Sequence, residues 1–172
     1  MAFQAKFDAA LQEGVFIGPG IAARCALGAG GVLPAAQKRE GDQASPAGVW
    51  PLRRVLYRPD REPPPETALP TRALTPNDGW CDAPHDPLYN RAVQLPYPAS
   101  AEALWRADHV YDLIVVLGHN DEPVIADFGS AIFWHLAQPD WRPTQGCVAV
   151  SRTTMLRALR IAQPGDTLEI VI

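Results

Sequence analysis

The chain has 172 residues, 47% of them apolar and 20% charged, with a formal net charge of −4. A domain of that length buries enough surface to fold without a metal or a disulfide, and such a composition excludes disorder of the whole chain. The small negative charge and the lack of a long basic run exclude wholesale binding to nucleic acid. No apolar stretch reaches the roughly 20 residues that a membrane-spanning helix needs.

The unusual numbers are 18 prolines and 13 glycines, with ten of the prolines between Pro59 and Pro98. That density breaks helices and removes ladder donors from central strands. The expected fold is therefore mainly β (a β-rich α+β fold), one domain over residues 1–172 with long stiff loops. In chain order, residues 2–12 read as a short helix, because Phe3, Phe7 and Leu11 recur every four positions. Val15–Ile21 and Ala23–Leu27 read as short strands broken at Gly18-Pro19-Gly20. Gly28-Ala29-Gly30-Gly31 is a turn and not a phosphate loop, since the Gly-Lys pair of that motif is missing. A polar loop from Lys38 leads to a strand over Val49–Tyr57. Residues 58–100 are the proline-rich region, with short strands at Trp80-Cys81 and Val93–Leu95; a loop of that length in a compact domain is usually functional. Ala101–Ala107 reads as a helix capped by Ser100. Val110–Leu117 and Ala131–Leu136 are central strands, and Cys147–Val150 is a short one. Ser151 caps a helix over Thr153–Ile161, with Met155, Leu156 and Leu159 on its core face. A turn at Pro164-Gly165-Asp166 leads to a last strand, Thr167–Ile172.

The informative chemistry is a His ending one strand, His135, and a Cys opening the next, Cys147, preceded by Gly146. A cysteine nucleophile needs a base or a positive field to reach its thiolate. His135 on the neighbouring strand is placed to supply that. The N–H groups of Gly146 and Cys147 are candidates to face an oxyanion formed in acyl transfer. By spacing alone, a buried structural Cys beside a satisfied His is the commoner outcome. Three cysteines allow Cys25 and Cys81 to pair as a disulfide and leave Cys147 free, or all three to stay thiols. A metal hydrolase built on His119, His135 and Asp127 matches no familiar ligand spacing.

The segment Thr144-Gln-Gly-Cys-Val148, with His135 ahead of it, resembles the signature of the L,D-transpeptidase family with the YkuD-type catalytic domain. Lys38 followed by Ser45-Pro-Ala-Gly48, Tyr89-Asn-Arg91 and Gly118-His-Asn120 resemble further segments of its compact branch, and the likeness spans about Cys25 to Ile172. Three features depart from the family pattern: a shorter spacer after His135, Gln145 in place of a second His, and Ala149 in place of Asn or Arg. The shorter spacer keeps His119 as the other candidate base. The resemblance implies a mixed β-sandwich or barrel with a helix after the cysteine strand. It also implies catalysis by Cys147, His135 and Gly146, and no metal or organic cofactor. Its substrates would be peptidoglycan stem peptides, met in the cell envelope. Cys147 would attack the bond between diaminopimelate and D-Ala of a tetrapeptide donor, and the acyl group would pass to an amine of another stem. That amine is a diaminopimelate amine (a 3-3 crosslink) or the amine of L-Ala (a 1-3 crosslink). With water as acceptor the same chemistry gives a carboxypeptidase or endopeptidase. A silent wall-binding module is the reading from another class.

His119, Asn120, Tyr89, Asn90, Arg91, Trp141, Arg142, Thr144 and Gln145 are the candidate substrate-binding residues. Ser130 is a candidate hydrogen-bond partner near His135. The first residues, Met-Ala-Phe-Gln-Ala-Lys-Phe, do not read as a signal peptide. An activated Cys147 is expected to be alkylated far faster than Cys25 or Cys81 near neutral pH.

Overall fold

A computed structural model describes every residue from Met1 to Ile172. The elements are β1 (Ala2–Asp8), β2 (Glu13–Gly18), β3 (Ile21–Ala26), β4 (Val32–Pro34), β5 (Ser45–Tyr57), β6 (Thr71–Ala73), β7 (Asp78–Cys81), β8 (Ala92–Gln94), β9 (Ala101–Ala103), β10 (Leu113–Leu117), β11 (Phe133–Leu136), β12 (Val148–Val150), α1 (Arg152–Ile161) and β13 (Thr167–Val171). The fold is mainly β with one α-helix late in the chain, as the composition implies.

The strands β10-β11-β12-β3-β2-β1-β13-β5 pair in that order, and β5 pairs again with β10, so the sheet closes on itself. Strand β5 makes the closure possible because it is long. Gly48–Pro51 pair with β13, and Leu52 and Arg54–Tyr57 pair with β10. Closure removes the sticky edges that an open sheet would present. Strands β4 and β6 add to β5, and a separate sheet runs β8-β7-β9.

Two apolar cores follow from side-chain alternation. Leu113, Val115 and Leu117 of β10 point into the closed sheet, while Ile114 and Val116 point out of it. The inner core centres on Trp134, stacked on Phe16 at 5.0 Å and tilted against Phe3 at 5.6 Å. Each such buried side chain contributes about 1.5–3 kcal/mol. The outer core puts Leu74, Trp80 and Leu104 over Ile114, Val116 and Phe133. The proline-rich region thus covers the outer face of β10 and β11, and its short strands form at Trp80-Cys81 and Val93-Gln94, as expected.

Two expected helices are strands. Residues 2–12 hold β1, which pairs parallel with β13 and antiparallel with β2. A spacing of four satisfies a strand's period of two as well as a helix. The inward residues are Phe3 and Ala5, and Phe7 and Leu11 lie exposed. Ala101–Ala103 is β9, drawn into pairing with β7, and the Ser100 carbonyl accepts the Asp82 N–H instead of capping a helix. The disulfide is also absent. All three cysteines are free and buried: Cys25 lies in the inner core, whereas Cys81 lies in the separate sheet outside it. The late helix forms as expected, with the Thr154 N–H donating to Ser151 Oγ at 3.1 Å and Met155 and Leu159 fully buried.

Candidate active site

Strands β11 and β12 run parallel, with Trp134 beside Val148, His135 beside Ala149 and Leu136 beside Val150. Alternation sends Trp134, Leu136, Val148 and Val150 into the inner core. It sends Phe133, His135, Cys147 and Ala149 to the other face. There His135, Cys147 and Ala149 open on a cleft of about 580 Å³. Its walls come from the loop before Cys147 (Arg142 to Gln145), from Glu102 to Tyr111, and from Glu40, Asp82 and Ser130.

Each reactive group is held by backbone. The Cys147 thiol donates to the Ala131 carbonyl at 3.2 Å, and the Phe133 N–H donates to its sulfur at 3.3 Å. Ala131 has φ of 52°, a strained value for a residue with a Cβ, which marks a turn kept by its surroundings. Thr144 latches the approach to the cysteine: its hydroxyl donates to the Cys147 carbonyl at 2.7 Å and accepts the Gly146 N–H at 3.1 Å. The Gly146 N–H is therefore already used, and the Cys147 N–H carries no hydrogen bond within the chain. Gly146 has φ of 130°, and a Cβ there would sit 2.8 Å from the Ala44 carbonyl oxygen, so only glycine fits. His135 donates from Nδ1 to the Leu136 carbonyl at 2.8 Å, which leaves Nε2 as the lone-pair nitrogen. The Tyr111 ring meets the imidazole edge-on at 5.2 Å. No hydrogen bond joins His135 to Cys147 in the free protein; catalytic contacts are commonly loose before substrate arrives.

The family model for the YkuD domain, described as the L,D-transpeptidase catalytic domain, matches residues 12–172. The chain belongs to this family. No curated protein and no solved structure matches it significantly.

The cleft around His135 and Cys147 is electrostatically quiet at rest. Burial pushes the Cys147 thiol up to about 12, against smaller opposing help from the Phe133 N–H and Lys38. Burial also pulls His135 down to about 4. Burial therefore favours the neutral thiol and the neutral imidazole at neutral pH. Cys25 is pushed up to about 12 as well, again chiefly by burial. Selectivity among the thiols then comes from access, since Cys147 lines the cleft and Cys25 lies in the inner core. Alkylation of Cys147 by iodoacetamide is expected to rise about tenfold per pH unit from pH 6 to 10, with no plateau. Mass spectrometry of the labelled peptide checks this; a plateau near neutrality would mean an ion pair.

The other candidates separate into two groups. Arg142, Thr144 and Gln145 line the cleft with His135 and Cys147. Tyr89 is buried and its hydroxyl donates to Glu40, which lines the cleft. His119 and Asn120 line a different concavity of about 330 Å³ with Trp50 and Phe128. There the His119 Nε2 donates to the Phe128 carbonyl at 3.0 Å, and Trp50 meets its ring at 4.7 Å. Trp141 lies outside the cleft lining, under the Arg24 guanidinium at 4.9 Å. Arg91 is exposed and holds the Asp121 carbonyl. Ser130 lines the cleft beside Tyr89, and its hydroxyl makes no hydrogen bond to His135. No three His, Cys, Asp or Glu side chains group closely enough to hold a metal ion, so the His119–His135–Asp127 reading falls.

Asn90 is structural. Its amide donates to the His119 and Asn120 carbonyls at 3.1 and 2.7 Å, and its oxygen accepts Trp80 Nε1 at 2.9 Å and the Ala131 N–H at 3.1 Å. It thereby ties the proline-rich region to the strained turn beside Cys147. Asn also tolerates its φ of 54° better than Ala does. Asn90→Ala is expected to cost about 3–5 kcal/mol in urea unfolding, because it orphans three buried groups and one part-buried one. Arg91→Ala next to it is expected to stay within about 0.5 kcal/mol. Glu40, Asp82, Glu102, Arg106 and Tyr111 line the site and escape the sequence reading. No motif marks them, though Tyr111 at the start of an apolar strand is a signal to follow.

Proposed function

We propose that this protein is a peptidoglycan L,D-transpeptidase in which Cys147 is the nucleophile and His135 the proton carrier. The observation that carries the reading is the shared face of β11 and β12. It opens a thiol and an imidazole on one cleft, with His135 Nδ1 committed to the Leu136 carbonyl. That commitment leaves Nε2 free to accept the thiol proton as sulfur attacks the carbonyl between diaminopimelate and D-Ala. The tetrahedral oxyanion takes the Cys147 N–H, the donor with no partner in the chain. Collapse breaks the C–N bond, D-Ala leaves with the proton from His135, and a thioester remains on Cys147. An amine of a second stem then attacks the thioester carbonyl and gives its proton to His135. The C–S bond breaks, and the proton returns to sulfur. The family supplies the peptidoglycan class and the cell envelope as its usual setting. No helix is long and apolar enough to cross a membrane.

The test is mass spectrometry of the protein incubated with a disaccharide-tetrapeptide, beside Cys147→Ala. Loss of D-Ala with a dimeric product, absent in the variant, is the expected result, and fragmentation identifies the acceptor amine as diaminopimelate or L-Ala. Tripeptide alone would make the enzyme a carboxypeptidase. Unchanged substrate with no adduct on Cys147 would overturn the enzymatic reading.

A further inference from the structure

The concavity of about 330 Å³ around His119 has no part in the steps above. Trp50, His119, Pro123, Ile125 and Phe128 are among its lining residues. Its walls are held in place from within the protein. Asn120, at φ of 48°, staples the loop that follows it: its amide donates to the Ile125 and Gly129 carbonyls, both at 2.9 Å, and its oxygen accepts the Ile125 N–H at 2.8 Å. Arg53 holds both carboxylate oxygens of Asp121, at 2.8 and 3.2 Å. The Arg39 guanidinium lies over the Phe128 ring at 4.5 Å, and Trp50 Nε1 donates to the Pro46 carbonyl at 3.0 Å. Pre-formed apolar walls with a few polar groups are the usual form of a small-ligand site.

One polar group of this lining is left over. His119 is 4% exposed, and its Nε2 meets the Phe128 carbonyl, which can only accept, so Nε2 carries the proton. Nδ1 then presents a bare lone pair, buried and with no partner within the protein. Native proteins satisfy nearly all such groups. Burial pulls His119 down to about 4, so the ring is neutral at pH 7 and offers an anion no charge. A cation is disfavoured too. A Cβ on Gly129 would lie 3.0 Å from Lys38 Cε and 3.4 Å from His119 Nε2, so the lysine stem runs beside the imidazole. The fitting ligand is a neutral N–H donor with an apolar body. An acetamido group on a pyranose ring has that form: its N–H serves the lone pair, while its methyl and the apolar face of the sugar rest on aromatic rings. Glu122, exposed at the rim, is an acceptor for the sugar hydroxyls.

We propose that this concavity binds an acetamido sugar, with His119 Nδ1 accepting the amide N–H and Trp50 and Phe128 carrying the ring. That the sugar belongs to the glycan of the substrate rests on the reading that the neighbouring cleft acts on peptidoglycan. The spans agree. His119 is bonded to the Phe128 carbonyl, and Cys147 to the Ala131 carbonyl. Three residues separate these two along the chain, at most about 11 Å. The diaminopimelate attacked by Cys147 is the third residue of its stem, so an extended stem covers about the same distance back to its sugar. The donor's own sugar and a sugar of the acceptor strand share the chemistry.

The first test needs no turnover. Full-length protein with isotope-labelled histidine is titrated with N,N′-diacetylchitobiose and with cellobiose, which carries hydroxyls in place of the acetamido groups. A saturable shift of the His119 Nδ1 resonance with the acetylated sugar alone is expected. Phe128→Leu is expected to weaken binding about tenfold. Ile125→Ala, at the exposed rim, is expected to weaken it about threefold with the melting temperature unchanged. No saturable shift, equal shifts with cellobiose, or undiminished binding in both variants would overturn the site. The second test compares D-Ala release from the disaccharide-tetrapeptide and from the free tetrapeptide. A tenfold lower KM for the glycosylated donor, an advantage lost in Phe128→Leu, assigns the sugar to the donor. Equal KM values, with Phe128→Leu lowering transfer relative to hydrolysis tenfold, assign it to the acceptor strand. Neither effect would overturn the glycan subsite while leaving the transpeptidase reading intact. If neither donor releases D-Ala, that reading fails, and the sugar titration still decides the site.

Discussion

Cys147→Ala is expected to lower D-Ala release from a tetrapeptide donor at least about 10³-fold, with the protein still folded. Sulfur is the one strong nucleophile in the cleft, and its removal leaves only the binding surface and the Cys147 N–H to act on an attacking water. The structural cost is small. The thiol's two hydrogen bonds are long, 3.3 Å from the Phe133 N–H and 3.2 Å to the Ala131 carbonyl. Their loss, with the Phe133 N–H left buried, costs about 1–3 kcal/mol. Cys147→Ser serves as a second probe: its hydroxyl keeps a donor for Ala131 but is a far weaker nucleophile beside a neutral imidazole. Quantifying released D-Ala, together with a thermal melt, separates lost chemistry from lost fold. Residual activity within tenfold of the unaltered protein would move the nucleophile elsewhere.

What can be read ahead of the structure follows the range of the interactions involved. Strands β10, β11 and β12 and helix α1 are legible because their apolar patterns are local and Ser151 caps the helix in sequence. The shared face of His135 and Cys147 is legible for the same reason: it needs only alternation and two neighbouring strands. Strand β1 reads as a helix because Phe3, Phe7 and Leu11 fit both periods, and what decides is pairing with β13 at the other end of the chain. Closure of the sheet through β5 lies beyond any local pattern, since it depends on one strand serving two partners. One wall of the cleft is illegible for a related reason. Glu40, Asp82 and Glu102 come from three distant segments, and the separate three-stranded sheet is what brings the last two to the same cleft. Asn90 reads as a polar loop residue, yet its four bonds show it to be the tie between that sheet and the cysteine turn.

His135→Asn is expected to lower D-Ala release about 10²–10⁴-fold, the range over which a positioned proton carrier acts. Asparagine can still donate to the Leu136 carbonyl, so the change removes the proton acceptor more than the packing. The pH profile distinguishes the two roles. Burial holds His135 at about 4, so the unaltered enzyme is expected to keep its base neutral and its activity nearly flat from pH 7 down to about 5. The variant has no such base, and its residual rate is expected to climb with pH as the thiol, pushed up to about 12, begins to ionise. Stability should change in the opposite sense. In the unfolded chain the histidine takes a proton near 6.5, whereas the folded one resists it until about 4. The contribution of neutral His135 is thus present above pH 6.5 and is lost as the pH falls toward 4. The substituted asparagine cannot protonate, so the variant should lose less stability over that window than the unaltered protein. His119, held at about 4 by the same burial, contributes equally to both and cancels in the comparison. Unfolding by urea at pH 7 and pH 4.5 reads the difference directly. An equal acid loss in both proteins would mean that His135 is not held neutral, and the thiol would then sit beside an imidazolium instead of a base.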